Sequence, residues 1–394
     1  MAGSGSAAGL GQYFTTDPGL LTIVKGFISG LPGPFLEPCA GAGHLVRAIL
    51  SECPGGAVDA IEIDASLRMP EDMAKGARVN WETSDYLAWQ ASRPYPVIVA
   101  NPPFARCGGS SLHVDFVAKA LEDLKRGGTM VMIVPSDFFQ LSRAADLLRA
   151  LVAQGRFTDI HHASSERLFP GARIAVSVFR YLKESEDGQL INVNGSLRHI
   201  NCTDGTITFH PPRPPGISLG RVANVHVGLV SGCDAVFKDP RGNVLLQTGL
   251  RKKERFWMAF SANDPAGKAL GLHKSRLLKR RGRAFGPGNW YEWGAKRNYS
   301  LMTGPRAGEP CLFLQIASRS DEVCRVGRLG LFGPQLLCIV PRPGCHLNLE
   351  AIAAHLCSPP VREMYTQAGR YRITQRAAAH MHVPLSLIRH NSSV

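Results

Sequence analysis

An α/β fold is predicted for this chain: a doubly wound, mostly parallel sheet in residues 1–212, then a second, basic α+β domain in residues 213–394. Three observations predict it. Apolar runs of strand length near Phe35, Ala60, Val97 and Met130 alternate with stretches of helical period, the pattern of parallel strands joined by crossover helices. A length of 394 residues suits two domains, each able to bury its own core. The charge divides in the same place: residues 1–212 hold 18 Lys and Arg against 21 Asp and Glu, a net −3, and residues 213–394 hold 27 against 10, a net +17. A near-neutral body joined to a strongly basic one suggests a catalytic part and a part that grips a polyanion. No apolar run approaches the ~20 residues of a membrane span, so no membrane partner is expected.

The stretch from Met1 to Gly9 lacks the basic and apolar regions of a signal peptide and reads as a flexible lead, so a cytoplasmic location is expected. Thr16 or Asp17 can cap a helix that starts at Pro18, runs through Leu20, Leu21, Ile23, Val24 and Phe27, and ends at Gly30 and Pro32. A short strand at Phe35, Leu36 and Glu37 leads through Pro38-Cys39-Ala40-Gly41-Ala42-Gly43 into a helix from about His44 to Cys53. Glycines in such a turn let the backbone approach a ligand at a helix N-terminus. Val46 stands where a dinucleotide fingerprint has its third glycine. A second strand spans Asp59 to Asp64, and an acid at its end, Glu62, suits a ribose diol; a solvated acidic turn is the other reading.

The stretch from Trp81 to Trp89 holds the end of the third strand. Asp85 can accept from an adenine amine, and Tyr86 can pack against the ring. A helix over 114–126 stopped by Gly127-Gly128, a buried strand from Thr129 to Ser136, a helix over about 141–154 and a strand ending at Arg180 complete the sheet. The stretch from Glu184 to Gly216 is polar and then Pro-rich, and its last part reads as the domain boundary.

The most informative stretch is Val97-Ile-Val-Ala-Asn101-Pro102-Pro103-Phe104. A buried strand stops at an Asn and two prolines, which lack N–H donors and have fixed φ angles, so the chain leaves the sheet in a rigid turn. The turn presents one amide, outward carbonyls and an aromatic ring at a strand's C-terminal end, where open α/β sheets bind ligands. These groups suit methyl transfer to an exocyclic amine. The amine of adenine is a poor nucleophile because its lone pair is delocalised. An Asn oxygen and a backbone carbonyl that accept its hydrogens turn the lone pair toward a methyl donor, by positioning and electrostatics without a full base. Phe104 would stack on the base. A plain strand-terminating turn is the alternative.

In the second half, apolar segments broken by Gly and Pro are interspersed with basic clusters: Arg251, Lys252 and Lys253, then Lys279, Arg280, Arg281 and Arg283. Trp290, Tyr291 and Trp293 follow. Interleaved cations and aromatic rings suit phosphate contact and base stacking, although core packing is the plainer reading for any single ring. Residues 348–365 read as one amphipathic helix. The ten cysteines are scattered without zinc spacing, so reduced thiols and no metal are expected.

With these residues in hand, the chain resembles the gamma-group, TaqI-like N6-adenine DNA methyltransferases. The likeness covers the N-terminal half in order and continues in fragments beyond it. Gly11-Gln-Tyr13-Phe-Thr15-Thr16 resembles the family's segment that closes over S-adenosylmethionine, and Glu37 to Gly43 its methionine-binding loop with Cys39, Ala40 and Gly41. Glu62, with Ile63 beside it, takes the place of the ribose-binding acid and Asp85 that of the adenine-binding acid. Tyr86 and Phe116 hold positions that pack on the cofactor's adenine. Asn101-Pro-Pro-Phe104 is the catalytic motif, with Phe where many DNA enzymes have Tyr. Leu168-Phe169-Pro resembles the segment whose ring takes the other face of the target base, and Val227 to Phe237 resembles the opening of a target-recognition domain.

The resemblance implies a Rossmann-like, S-adenosylmethionine-dependent catalytic domain and a DNA target-recognition domain. It implies a base flipped out of double-stranded DNA and held between Phe104 and Phe169, with Asn101 and the Pro102 carbonyl accepting from its amine. A restriction-modification or orphan modification role follows, with a cognate restriction endonuclease as the partner in the former, and a monomer or weak dimer. The Asn-Pro-Pro-aromatic motif is shared with RNA adenine and protein glutamine methyltransferases, so an RNA enzyme and an inactive, methyltransferase-like DNA-binding protein stand as alternatives.

Overall fold

The computed structural model describes residues 13–74, 78–107, 110–169, 173–184, 190–210, 216–280, 283–367 and 370–389. Arg281, Gly11, Gln12 and Pro170 lie outside them. The chain divides into two compact units, Met1–Pro212 with Gln367–Gly369, and Arg213–Thr366 with Arg370–Val394.

In the first unit, helix α1 (Pro18–Ile28) starts where Asp17 accepts a hydrogen bond from the Leu20 N–H at 2.8 Å. Such a cap contributes about 1 kcal/mol. Strand β1 (Phe35–Glu37), helix α2 (His44–Glu52), strands β2 (Val58–Glu62), β3 (Val79–Thr83) and β4 (Tyr95–Ala100), helix α3 (Leu112–Asp123), strand β5 (Leu124–Pro135), helix α4 (Ala145–Gln154), and strands β6 (Gly155–His162) and β7 (Val176–Lys183) follow. Three more strands, β8 (Leu190–Val193), β9 (Ser196–Thr203) and β10 (Thr206–His210), extend the sheet to ten, in the order β10-β9-β8-β6-β7-β5-β4-β1-β2-β3. Strands β3, β2, β1, β4 and β5 are mutually parallel, and β7 runs antiparallel to both β5 and β6.

The near-continuous apolar runs are explained by burial on both faces. Ile98, Ala100, Met130 and Met132 join one core with Val117 and Leu121 of α3, whereas Val97, Val99, Val131 and Ile133 join another with Val24 of α1 and Val46 of α2. Successive strand residues point to opposite faces, so one strand serves two cores. The sheet places the C-terminal ends of β1, β2, β3 and β4 along one edge, with the strand order reversing direction between β1 and β4. That reversal leaves a crevice in which ligands bind in doubly wound folds.

Two local expectations are corrected, and one stretch gains strands. The helix expected over 114–126 ends at Asp123, because Leu124 already pairs with Tyr95 in the sheet and both side chains are buried. Ahead of the Pro-rich boundary, the polar stretch carries strands that the sequence reading does not assign: β8 pairs with β6, antiparallel hairpins follow, and Ile191 and Ile207 insert into the core. The helix expected over 348–365 is two: α5 (Leu349–Cys357) stops at Ser358, and Pro359 and Pro360 start a separate turn, since a proline cannot donate to the preceding helix.

The second unit is built on four antiparallel strands: β11 (Ala223–Val227), β14 (Pro310–Gln315), β15 (Cys324–Arg328) and β16 (Leu336–Pro341), in the order β11-β16-β14-β15. A separate hairpin, β12 (Val244–Gly249) and β13 (Lys252–Phe256), precedes β14. Leu312 and Leu314 pack on Ile352 and Leu356 of α5, while Phe313 and Cys338 face Phe237, Trp290 and Trp293 on the other side. Trp290 and Trp293 are therefore core residues and not surface stacking platforms, and the Trp293 indole donates to the Trp257 carbonyl at 2.8 Å.

Candidate active site

At the C-terminal edge of β1–β4 lies a cleft of about 280 Å³, lined by Tyr13, Phe14, Pro38, Cys39, Gly41, Glu62, Ile63, Ser84, Asp85, Tyr86, Leu87, Asn101, Pro103, Leu112 and Phe116. Ten of these are expected from sequence as functional residues outright, and Phe14 stands within the closing segment. Ser84, Leu87 and Leu112 carry no motif; only the neighbouring Asp85 and the start of α3 could have pointed to them.

The Gly-rich turn between β1 and α2 forms one wall. Gly41 has φ +56° and Gly43 φ +79°, the left-handed region that favours glycine. A Cβ at Gly41 would sit 3.1 Å from the Phe14 ring, and one at Gly43 would meet Met73 at 2.8 Å. The turn is pinned by Glu62. Its Oε2 accepts from the Gly41 N–H at 2.6 Å and its Oε1 from the Asp64 N–H at 2.9 Å. Each oxygen keeps an acceptor site, so Glu62 both fixes the turn and presents a carboxylate to the cleft.

Glu37, the last residue of β1, is 1% exposed. Its Oε1 faces the Cys39 N–H at 3.4 Å, and among the described residues its Oε2 has no partner. Burial pushes this carboxyl up to about 8. A buried acid with an unmet oxygen fits a cationic ligand group, which would restore its charge. Burial also pushes the Cys39 thiol well above its usual range, helped by the negative charges of Glu37 and Glu62. Cys39 is a neutral wall residue and not a nucleophile.

Asp85 is capped locally, accepting from the Leu87 N–H at 3.0 Å, and lines the cleft mouth. Tyr86 is fully buried, and its hydroxyl donates to Asp123 at 2.8 Å, so only its ring serves the cleft. That ring lies 5.3 Å from Phe116, and Lys119 sits above it at 5.1 Å. Tyr86 and Phe116 give the cleft an apolar, aromatic part of its lining.

Asn101 stands directly after β4. Its Nδ2 donates to the Tyr13 carbonyl at 2.6 Å and to the Thr15 hydroxyl at 3.0 Å. Its Oδ1 is buried and has no partner among the described residues. Beyond it, Phe104, Phe169 and Tyr13 form an aromatic group. The rings of Phe104 and Phe169 meet edge to face, 5.9 Å apart at 79°. The face of Phe104 is covered by Tyr13, stacked at 5.3 Å and 29°. Edge-to-face and offset-stacked contacts of this kind satisfy the quadrupoles of aromatic rings.

Of the other expected cofactor residues, Thr15, Ala40 and Gly43 support the cleft from behind its lining. The Ala40 N–H donates to Ile61, and Gly43 caps α2. Thr16 is exposed and away from the lining.

The expected phosphate contacts fare unevenly. Arg280 is spent within the fold. Its guanidinium donates to the carbonyls of Leu277, Ser231, Glu292 and Trp290 at 2.7–3.0 Å and stacks on Phe285 at 3.7 Å. Four of its five donors are used, so it is a strut and not a phosphate ligand. Arg251 makes a two-pronged pair with Glu322 at 2.9 and 3.0 Å. Lys252 pairs with Glu254 at 2.9 Å, and Arg283 with Glu292. Lys253 and Lys279 are exposed, with no ion pair to a described residue.

Comparison with known proteins agrees with this geometry. A family model described as "Methyltransferase small domain" matches residues 16–157. Over that stretch the chain carries a methyltransferase fold. The cofactor of that fold is S-adenosylmethionine, and the buried Glu37 oxygen, the Gly41 turn and the Glu62 carboxylate offer what its cationic and hydroxyl groups require. Among curated proteins, the chain is 26% identical over 196 residues to the type II methyltransferase M.TthHB8I of Thermus thermophilus, covering 43% of this chain and 44% of the relative. It is 22% identical over 196 residues to the type II methyltransferase M.HincII of Haemophilus influenzae, covering 44% and 37%. The chain thus spans less than half the length of these relatives. A crystal structure of the type I restriction enzyme EcoKI M protein aligns over 45% of each chain at 18% identity with a TM-score of 0.35. No described helix is long and apolar enough to cross a membrane.

Proposed function

We propose that this protein is a site-specific DNA methyltransferase that transfers a methyl group from S-adenosylmethionine to the N6 amine of an adenine turned out of the duplex. The observation that carries the reading is the Asn101 amide. An unmet, buried acceptor at the end of β4 is costly unless a donor arrives, and an exocyclic amine is such a donor. Further support comes from the relatives, which are named as type II methyltransferases, and from the +17 charge of residues 213–394.

S-adenosylmethionine would be held by Glu37 at its ammonium, the Gly41 turn, Glu62 at its ribose hydroxyls, and Asp85 with Tyr86 and Phe116 at its adenine. It supplies an electrophilic methyl group. The chain's residues do the rest. Asn101 Oδ1, with the Pro102 carbonyl, accepts hydrogens from the target amine and turns its lone pair outward. Phe104 gives its face to the base, for which the Tyr13 ring gives way, and Phe169 closes the far side. The exposed lysines of the second unit, Lys253 and Lys279, contact phosphates, while Arg251, Lys252 and Arg283 can exchange their carboxylate partners for them.

The direct test supplies the purified protein with methyl-labelled S-adenosylmethionine and duplex DNA of random sequence, then calls modified bases by sequencing. N6-methyladenine confined to one sequence context is expected. Label appearing in RNA and not in DNA would replace the proposed substrate, and no label in any polymer would overturn the assignment.

A further inference from the structure

The Asn101 amide has two ends, an accepting oxygen and a donating nitrogen. An acceptor can be aimed only if the other end is fixed, since a carboxamide reversed about its last torsion exchanges oxygen for nitrogen with almost no change of shape. Here the nitrogen is fixed by a segment far away in the chain. The Tyr13 carbonyl, 88 residues before Asn101, accepts from Nδ2 at 2.6 Å, and the Thr15 hydroxyl, 86 residues before it, accepts at 3.0 Å. A carbonyl only accepts, so the atom facing it must be the nitrogen. Oδ1 is thereby turned to the side where it is buried and unmet. Thr15 is itself buried, at 4% exposure, so its hydroxyl does not trade Asn101 freely for water.

We propose that Thr15 is a positioning residue. Together with the Tyr13 carbonyl, it sets the orientation of the Asn101 amide and aims Oδ1 at the target amine. The catalytic acceptor is then correctly oriented only when the segment before α1 is seated. The inference deepens the proposed function and rests on its reading of Oδ1. It also explains why an Asn is needed in this chain: an Asp would keep an acceptor toward the amine but would set a second oxygen against the Tyr13 carbonyl.

The test uses the full chain with Thr15→Val, which keeps shape and removes the hydroxyl, and Thr15→Ser, which keeps the hydroxyl. Methylation kinetics are measured at saturating cofactor alongside cofactor Kd. Independently of activity, exchange of the Asn101 side-chain amide protons is followed by NMR, the signal being assigned by its loss in Asn101→Asp. Thr15→Val is expected to lower kcat about tenfold, the scale of one lost buried hydrogen bond, with cofactor Kd within twofold and faster amide exchange. Thr15→Ser is expected to regain most of both. A Thr15→Val protein with weakened cofactor binding and unchanged kcat would overturn the proposal and make Thr15 a cofactor contact. Unchanged amide exchange would overturn it whatever the activity. Accelerated exchange in a chain whose wild type methylates no adenine would uphold the positioning and sink the substrate assignment instead.

Discussion

The two regions expected to touch ligands differ in how completely their polar groups are satisfied. Around the cleft, buried polar atoms are left unmet: Asn101 Oδ1 and Glu37 Oε2 have no partner among the described residues. Among the cations of the second unit expected to touch phosphate, most of the donors are already engaged. Arg251, Lys252 and Arg283 have carboxylates, and Arg280 has four carbonyls. A buried polar atom without a partner costs free energy in the empty protein and returns it when a ligand binds. A surplus of charge carries no such mark, since exposed cations are solvated at little cost. The cleft is thus read from single atoms, and the basic face only after its internal pairs are subtracted.

The sharpest way to break this comparison is Asn101→Ala. If the unmet oxygen is the acceptor, methyl transfer should fall a hundredfold or more, about 3 kcal/mol of transition-state stabilisation, while cofactor affinity measured by calorimetry stays within about twofold. Turnover above a tenth of wild type would remove the distinction between the cleft and an ordinary turn.

Arg280→Ala tests the opposite claim. Four carbonyls lose their donor and Phe285 loses its stacked partner, so thermal unfolding of the second unit should shift by about 2–3 kcal/mol. A variant of unchanged melting temperature with weakened DNA binding would restore Arg280 to the interface.

Glu37→Gln sharpens the cleft side through pH. The folded-state carboxyl titrates near 8 against an ordinary 4.5. Between those values the folded chain holds a proton that the unfolded chain has lost, so wild-type stability falls as pH rises through that window. Without ligand, the Gln variant should be the more stable at pH 8, by about 2 kcal/mol, with the gap closing toward pH 5. Adding S-adenosylmethionine at pH 8 should reverse the order, because the ionised carboxylate then has a partner. A gap independent of pH would show that Glu37 is not the titrating group.

The smallest effect is expected at Lys279. Its replacement by Ala should leave melting unchanged and flatten the log-affinity versus log-salt line for duplex DNA by about 0.9, one released counterion contact. The methylated sequence should not change, because phosphate contacts position and base contacts specify. An unaltered slope would take this lysine out of the interface.

The amino-acid sequence by itself determined what depends on neighbours along the chain. The strand–helix alternation, a cap at Thr16 or Asp17 before Pro18, the Gly-rich turn over 38–43 and the stop at Asn101-Pro-Pro all follow from local sterics and periodicity, which a few residues specify. The misread stretches failed for the same reason. The strands between Leu190 and His210 go unassigned because their partners, β6 and one another, are not visible from composition, and Pro359-Pro360 breaks a helix whose apolar spacing runs on. Only the tertiary structure decided which groups are paired. That Trp290 and Trp293 are core, that Arg280 is a strut, that Tyr13 lies on Phe104, and that Thr15 and the Tyr13 carbonyl hold the Asn101 nitrogen are contacts between residues distant in sequence. Pairing and burial are set by where the folded chain brings such residues together, and residue type alone does not encode that.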